Sequence, residues 1–119
     1  MTADELERIA EAEEIEIAPL RRDGTPATSV PIWVVRAGED LYVRSWRGAG
    51  ASWFRVAHAS HAARVRAGDV EGEVALEDAG EDVNDAVDDA YRSKYGRYPS
   101  FVEPMVAPAA RATTFRLVP

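Results

Sequence analysis

The sequence predicts a mainly β fold of the α+β class, a small antiparallel barrel of about six strands with three flanking helices. Two observations lead to this prediction. Short segments of alternating polar and apolar residues follow one another across tight glycine turns, which is typical of antiparallel hairpins. Three segments with helical spacing lie between them, without the regular strand–helix–strand order of a parallel sheet. Closure into a barrel would remove the exposed strand edges.

The chain is predicted to begin with a helix and a strand. Residues 3–13 carry apolar side chains at a spacing of three to four, and acidic residues occupy the first turn, where they favour the helix dipole. The segment EIEIAPL (14–20) then alternates, with Ile15 and Ile17 on one face. We therefore assign residues 1–13 to an N-terminal helix and 14–119 to the barrel of a single domain.

A hairpin is predicted over residues 32–46, after an irregular turn with two prolines at 21–31. Its two runs of β-forming residues flank a Gly-Glu-Asp turn. The second strand places Leu41, Val43 and Ser45 on one face. The opposite face carries Tyr42, Arg44 and Trp46.

The rest of the chain supplies two helices, a second hairpin and a closing strand. Ser52 is a plausible N-cap for a helix to about residue 59, and residues 63–68 and 70–78 form the hairpin. Residues 82–98 give the clearest helix, on which Asp88 and the other acidic residues are expected to face solvent. The segment ATTFRLVP (112–119) alternates as the closing strand.

Composition excludes several classes of function. The net charge of −7 argues against nucleic-acid binding, which needs a basic surface. The chain has no cysteine, so thiolate metal sites and disulfides are impossible. The N-terminus lacks the apolar run of a signal peptide, and no apolar run could span a membrane, so a cytoplasmic location is expected. His58 and His61 have no carboxylate beside them in the sequence, so exposed or capping roles are expected.

One segment, LYVRSWRGAGASWFR (41–55), combines features of an anion-binding site. Arginines stand at the end of a predicted strand, a Gly-Ala-Gly loop follows, and Ser52 begins a helix whose N-terminus attracts anions. Trp46 and Trp53 offer flat walls for a ring system. The alternative is structural: the tryptophans are core anchors, and Arg44 pairs with a carboxylate.

The chain resembles the flavin- and deazaflavin-binding split β-barrel proteins. The resemblance covers residues 14–119 and includes a basic-x-Gly turn and a Trp-aromatic helix. It is carried by PIWVVRAGEDLYVRSWRG (31–48), AYRSKYGRY (90–98) and TTFRLVP (113–119). That superfamily includes pyridoxamine-phosphate oxidase-like flavoproteins and deazaflavin-dependent nitroreductases. Within it the sequence is most similar to an uncharacterised branch of small bacterial proteins.

The resemblance implies a split barrel, a homodimer, and flavin mononucleotide or a deazaflavin held at the side of the barrel. It implies an oxidoreductase that passes a hydride to a small organic acceptor, with no catalytic side chain assigned. A non-catalytic protein that binds a small anion, or a dimeric interaction module, is the alternative. Arg44 joins the candidate site from strand geometry, Ser52 from its place at the helix start, and five further cofactor contacts follow from the resemblance: Arg22, Ser45, Arg47, Gly48 and Trp53.

The chain departs from that pattern at Asp23, which stands where the relatives carry a small polar residue. An unpaired carboxylate beside a phosphate opposes binding by about 1 kcal/mol or more when partly buried. Three tyrosines near the end of the third helix are candidates to line an acceptor pocket, with core packing as the alternative for the first: Tyr91, Tyr95 and Tyr98.

Overall fold

The computed structural model describes all of residues 1–119. It contains one antiparallel sheet with helices on its outside and at its ends. The seven strands are β1 (Ile15–Pro19), β2 (Val30–Ile32), β3 (Val35–Ala37), β4 (Asp40–Val43), β5 (Ala62–Ala67), β6 (Val70–Asp78) and β7 (Phe115–Val118). The five helices are α1 (Ala3–Glu11), α2 (Ser52–Ser60), α3 (Asn84–Tyr95), α4 (Pro99–Met105) and α5 (Pro108–Arg111). None of these helices is long and apolar enough to cross a membrane.

The sheet curls into a split barrel, which confirms the predicted fold class. Its strand order is β2-β1-β5-β6-β7-β4-β3, so strands β2 and β3 form the two edges. Seven flat strands would hold those edges about 28 Å apart. Only Trp33 and Val34 separate β2 from β3, and three residue steps reach about 11 Å. The sheet must therefore bend until its edges approach each other.

This corner corrects the prediction of a continuous strand from residue 32. The chain leaves β2, turns at Trp33 and Val34, and enters β3 on the other edge. Val34 lies between the two strands, and its backbone groups form hydrogen bonds with side chains of α3. The Tyr95 hydroxyl accepts from the Val34 N–H at 3.3 Å, and Lys94 Nζ donates to the Val34 carbonyl at 2.7 Å. The fold thus has seven strands instead of six.

Two buried clusters lie on the two faces of the sheet. Inside the barrel, Leu41 and Val43 of β4 join the larger cluster with Ile15 and Ile17, as the alternation predicted. On the outside, Tyr42 packs in a second cluster against α3 and α4. Strand β4 is therefore buried on both faces, which is why the residue that follows Val43 enters the protein interior as well.

Helices α4 and α5 were missed by the sequence analysis, which predicted three helices. Both are short, and both begin with a proline, Pro99 and Pro108, at the first helical position. Neither is long enough to show a helical period in the sequence. The sequence analysis assigned no element to residues 99–111.

Candidate functional site

A groove of about 730 Å³ opens at the seam of the split barrel. Four parts of the chain form its walls: strand β2, the segment after β4, the start of α2, and helix α4. Its principal lining residues are Val30, Ile32, Trp33, Ser45, Trp46, Arg47, Ser52, Trp53, Phe101 and Met105. The volume is within the range of sites for small molecules and cofactors.

A tight turn carries the chain out of β4 along the edge of this groove. The Ser45 hydroxyl donates to the Gly48 carbonyl at 2.7 Å, and the Gly48 N–H donates to the Ser45 carbonyl at 2.9 Å. Gly48 has φ +74°, and a Cβ there would lie 3.3 Å from Ala109 Cβ. Ser45 and Gly48 therefore serve the turn itself: their hydrogen bonds shape the loop that presents Arg47.

The side chain of Arg44 has a structural role, although the residue also lines the groove. It is 1% exposed and lies on the outer face of β4, beneath α3. All five of its N–H donors are used. Nε donates to Thr114, Nη1 donates to Asp88 at 2.5 Å and to the Met105 carbonyl at 3.0 Å, and Nη2 donates to two oxygens of Asn84. No donor remains for a ligand.

Asp88 is the carboxylate that neutralises Arg44, whereas the sequence analysis placed it on the solvated face of α3. It is 5% exposed, and its second oxygen lies 3.7 Å from Nε of Arg111. Its neighbours on the helix, Asp85 and Asp89, are exposed as predicted. The structural alternative raised for Arg44 is therefore the correct one.

Arg47 has the opposite environment. It is exposed and has no carboxylate within 4 Å, and its guanidinium lies 4.9 Å from the centre of the Trp46 ring. Nine of the thirteen arginines pair with a carboxylate; the four that do not are Arg21, Arg22, Arg47 and Arg55. Arg47 is the only one of these four that lines the groove. In an acidic chain, this leaves one uncompensated positive charge at the seam.

Arg22, which the resemblance implies as a cofactor contact, lies apart from the groove. It lines a separate shallow depression with Arg21, Asp23 and Arg55. The Asp23 carboxylate accepts hydrogen bonds from the Thr25 hydroxyl and N–H, and these bonds lower its pKa. Asp23 is thus bonded within its own turn, and it does not line the groove.

Helix α2 begins at the groove. Ser52 is its first residue, and Ala51 is the N-cap, so the prediction of Ser52 as the N-cap was wrong by one position. No side chain caps this end of α2. Ala51, Ser52 and Trp53 all line the groove, so the positive end of the helix opens into it.

Aromatic rings make up much of the remaining wall. Trp46 and Phe101 are 57% and 65% exposed at the rim, and Trp53 is half-buried. Trp33 stacks on Tyr95 with ring centres 3.8 Å apart. The sequence analysis named Trp46 and Trp53 but missed Trp33 and Phe101. An unbroken strand was predicted through Trp33, and no pattern singled out Phe101.

None of the three candidate tyrosines lines the groove: Tyr91 and Tyr95 lie on α3, and Tyr98 precedes α4. Tyr91 and Tyr95 are fully buried in the outer cluster. Burial raises the pKa of both phenols well above the ordinary value. The Tyr95 hydroxyl contacts Val34 and Glu13, whereas the Tyr91 hydroxyl is buried without a hydrogen-bond partner.

The fold is shared with solved structures of low sequence identity. HutZ, the heme storage protein from Vibrio cholerae, matches with a TM-score of 0.66 at 13% identity, over 98% of this chain and 87% of HutZ. An FAD-binding protein from Mesorhizobium loti matches with a TM-score of 0.58 at 17% identity, over 99% and 89% of the two chains. An F420 reductase matches with a TM-score of 0.51 at 22% identity, over 94% and 89%.

These likenesses establish a common fold and no more. In sequence, residues 5–117 match the model of a family described as an uncharacterized protein conserved in bacteria, DUF2255. No curated protein matches the sequence.

Proposed function

We propose that this chain, which belongs to the DUF2255 family of bacterial proteins, is an oxidoreductase that binds a flavin or a deazaflavin in the groove. The bound cofactor would pass a hydride to a small organic acceptor. Two solved structures with the same fold are an FAD-binding protein and an F420 reductase. At the sequence identities of these two proteins the likeness supports the proposal only through the fold, so the argument rests on the residues of the groove.

Arg47 is the observation that carries the proposal. Its guanidinium is exposed and lacks a carboxylate partner, and Arg47 lines the same groove as the uncapped start of α2. A guanidinium and the positive end of a helix are both suited to phosphate oxygens. Arg47, Ser52 and the first N–H groups of α2 would hold a cofactor phosphate.

The aromatic wall fits the other half of such a cofactor. Trp33, Trp46 and Trp53 line the groove and offer flat apolar surfaces to a fused ring. A flavin or deazaflavin would supply the hydride chemistry, while the protein binds it, orients it and excludes water. The only carboxylate of the groove is Glu14, so we assign no catalytic acid or base.

A second copy of the chain would complete the site. Trp46 and Phe101 are the large apolar side chains most exposed in the structure, and both stand at the groove's rim. Their burial against another copy would cover the ring of a bound cofactor. A homodimer predicts that Phe101→Glu shifts the sedimentation coefficient to that of a monomer. If the wild-type chain sediments as a monomer at 100 µM, this part of the proposal is wrong.

Binding without turnover is the second candidate function. The groove holds no titratable side chain other than its single carboxylate and arginines, which is compatible with a carrier as well as with an enzyme. HutZ, a heme storage protein, has the same fold. The two candidates differ in whether a bound, reduced cofactor is reoxidised by a small quinone faster than the free cofactor is.

The proposal is tested by titrating the protein with flavin mononucleotide, FAD and a deazaflavin while tryptophan fluorescence is recorded. We expect quenching with at least one of the three. Arg47→Ala should weaken that binding about ten- to hundredfold, since a charge-assisted hydrogen bond contributes about 1.5–3 kcal/mol. Its unfolding free energy should change by less than about 0.5 kcal/mol, because the side chain is exposed.

Arg55→Ala is the matched control. Arg55 is also exposed and unpaired, yet it lies in the other depression, so its loss should leave the affinity unchanged. Equal losses from both variants would mean that the effect is one of overall charge. Absence of binding by all three cofactors at 100 µM would rule out the proposed function.

A further inference from the structure

Outside the groove, three side chains of types that can ligate metals meet at the far end of α2. His58 and His61 extend from the last turn of this helix, and Asp78 ends strand β6. Nε2 of His61 lies 3.1 Å from Oδ2 of Asp78, and Nε2 of His58 lies 3.8 Å from Oδ1 of the same carboxylate. One ligand atom from each of the three residues lies within 4.8 Å of those of the other two.

The sequence analysis expected exposed or capping roles for the two histidines because no carboxylate stands near them in the sequence. The fold supplies one: β6 runs antiparallel to β5, which directly follows α2, so its end returns beside the helix. His61 does cap the helix. Its backbone lies in the left-handed region at φ 55°, and its N–H donates to the Ala57 carbonyl at 2.7 Å.

The two imidazoles are held in place by packing. His58 stacks on Phe54 at 5.5 Å, and His61 meets the edge of Phe115 at 6.0 Å. Both phenylalanines are buried in the barrel core. The left-handed backbone at His61 is a conformation that residues other than glycine rarely adopt. That conformation leaves the His61 ring 5.3 Å from the His58 ring.

We propose that His58, His61 and Asp78 form a binding site for a divalent transition-metal ion of the zinc class. Zn²⁺ takes imidazole nitrogens and carboxylate oxygens at about 2.0–2.2 Å, so neighbouring ligands in a tetrahedron lie about 3.3–3.6 Å apart. The separations of 3.1 and 3.8 Å, which end on the two different oxygens of Asp78, lie on either side of that value, and one ligand atom from each residue lies within 4.8 Å of the other two. Small rotations of the side chains would therefore admit the ion.

The surroundings suit a cation. The site lies at the C-terminal end of α2, which is the negative end of the helix dipole and favours positive charge. Asp78 has no arginine partner; its carboxylate contacts the two histidines. All three side chains are 41–60% exposed, so a metal would keep its fourth position open to water or to another ligand.

The chain makes this site easy to test, because it has only two histidines and no cysteine. Untagged protein, stripped with a chelator, is titrated with Zn²⁺ in a calorimeter and with Co²⁺ in a spectrophotometer. We expect saturation at one ion per chain and the intense visible absorption of four-coordinate Co²⁺. The midpoint of thermal unfolding should rise by about 5 °C or more with Zn²⁺ at 100 times its dissociation constant.

Variants then identify the ligands. His58→Ala, His61→Ala and Asp78→Asn should each weaken Zn²⁺ binding about tenfold or more. Asp82→Asn removes an equally exposed carboxylate that is not part of the cluster, and should bind as the wild type does. Circular dichroism confirms that each variant folds. Absence of Zn²⁺ and Co²⁺ binding at 100 µM by the wild type, or equal binding by all four variants, would overturn the proposal.

Discussion

Arg44 and Arg47 are three residues apart, yet their guanidinium groups have opposite environments. Arg44 is buried with every donor bonded, whereas Arg47 is exposed and unpaired. Alternation along β4 sends the Arg44 side chain under α3, and the turn closed by Ser45 and Gly48 sends Arg47 outward. Only Arg47 has guanidinium donors left for a ligand, although the sequence analysis placed both arginines at the end of the same predicted strand.

The buried pair leads to a prediction about stability. Asp88→Ala leaves the Arg44 guanidinium buried without its counter-charge, so we expect the free energy of unfolding to fall by about 3–5 kcal/mol. Urea denaturation measures this loss. Asp89→Ala, on the same helix, breaks only the exposed contact with Arg92 and should cost less than about 1 kcal/mol.

A double variant separates charge burial from packing at this pair. Arg44→Met with Asp88→Leu removes both charges and keeps apolar volume, so it should be more stable than Asp88→Ala alone. If Asp88→Ala were no less stable than Asp89→Ala, the Arg44 guanidinium would have to reach water, contrary to the structure.

At the level of elements, α3 joins parts of the chain that are distant in sequence. Lys94 Nζ donates to three carbonyls, those of Ala10, Ala12 and Val34, at 2.7–2.8 Å. The first two carbonyls lie at the C-terminal end of α1, and the third lies in the corner between β2 and β3. One ammonium group therefore fixes both α1 and the seam of the barrel.

We expect Lys94→Met to loosen both contacts. The aliphatic stem is kept, but three carbonyls lose their donor, at a cost of about 1–3 kcal/mol. Backbone hydrogen exchange should accelerate more in α1 than in β5 and β6. Arg92→Met, two residues away on the exposed face of α3, is the control and should leave exchange in α1 unchanged. Equal exchange in α1 for both variants would contradict the anchoring role of Lys94.

The elements also show what local sequence determines. Alternation in Ile15–Pro19 and the helical spacing in Asn84–Tyr95 identified those elements because one face of each is apolar. Strand Asp40–Val43, which is buried on both faces, was identified by its β-forming residues after a glycine turn. The break at Trp33 and Val34 could not be predicted. Every residue from Ile32 to Val35 favours a strand, and the interruption comes from closure of the sheet, which is a property of all seven strands.

The candidate site, too, could be predicted only where its residues are close in the sequence. Ser45, Arg47, Ser52 and Trp53 lie in one continuous segment, so the sequence placed them together, and the structure lines one groove with all four. Phe101 reaches the groove from α4, and Asp78 reaches the histidines from β6. These partners depend on long-range packing, for which a single sequence offers no local signal.

For the whole molecule, the outer cluster predicts how stability depends on alkaline pH. Tyr91 and Tyr95 are buried, and burial raises the pKa of each above the value of about 10 in the unfolded chain. Above pH 10 the unfolded chain loses these protons while the folded chain keeps them. The unfolded state then binds fewer protons, so the free energy of unfolding falls as pH rises. Below pH 10 both states are protonated, and this contribution to stability is fully present.

Each fully shifted tyrosine contributes a slope of at most about 1.4 kcal/mol per pH unit. Guanidinium denaturation between pH 9 and pH 11.5 should therefore show a steeper loss for the wild type than for Tyr91→Phe with Tyr95→Phe. The comparison concerns the slope, because the Tyr95 hydroxyl also bonds Glu13 or Val34 and its removal lowers stability at every pH. Identical slopes for the two proteins would mean that these phenols ionise as readily in the folded chain as in the unfolded one, and the outer cluster would then have to admit water.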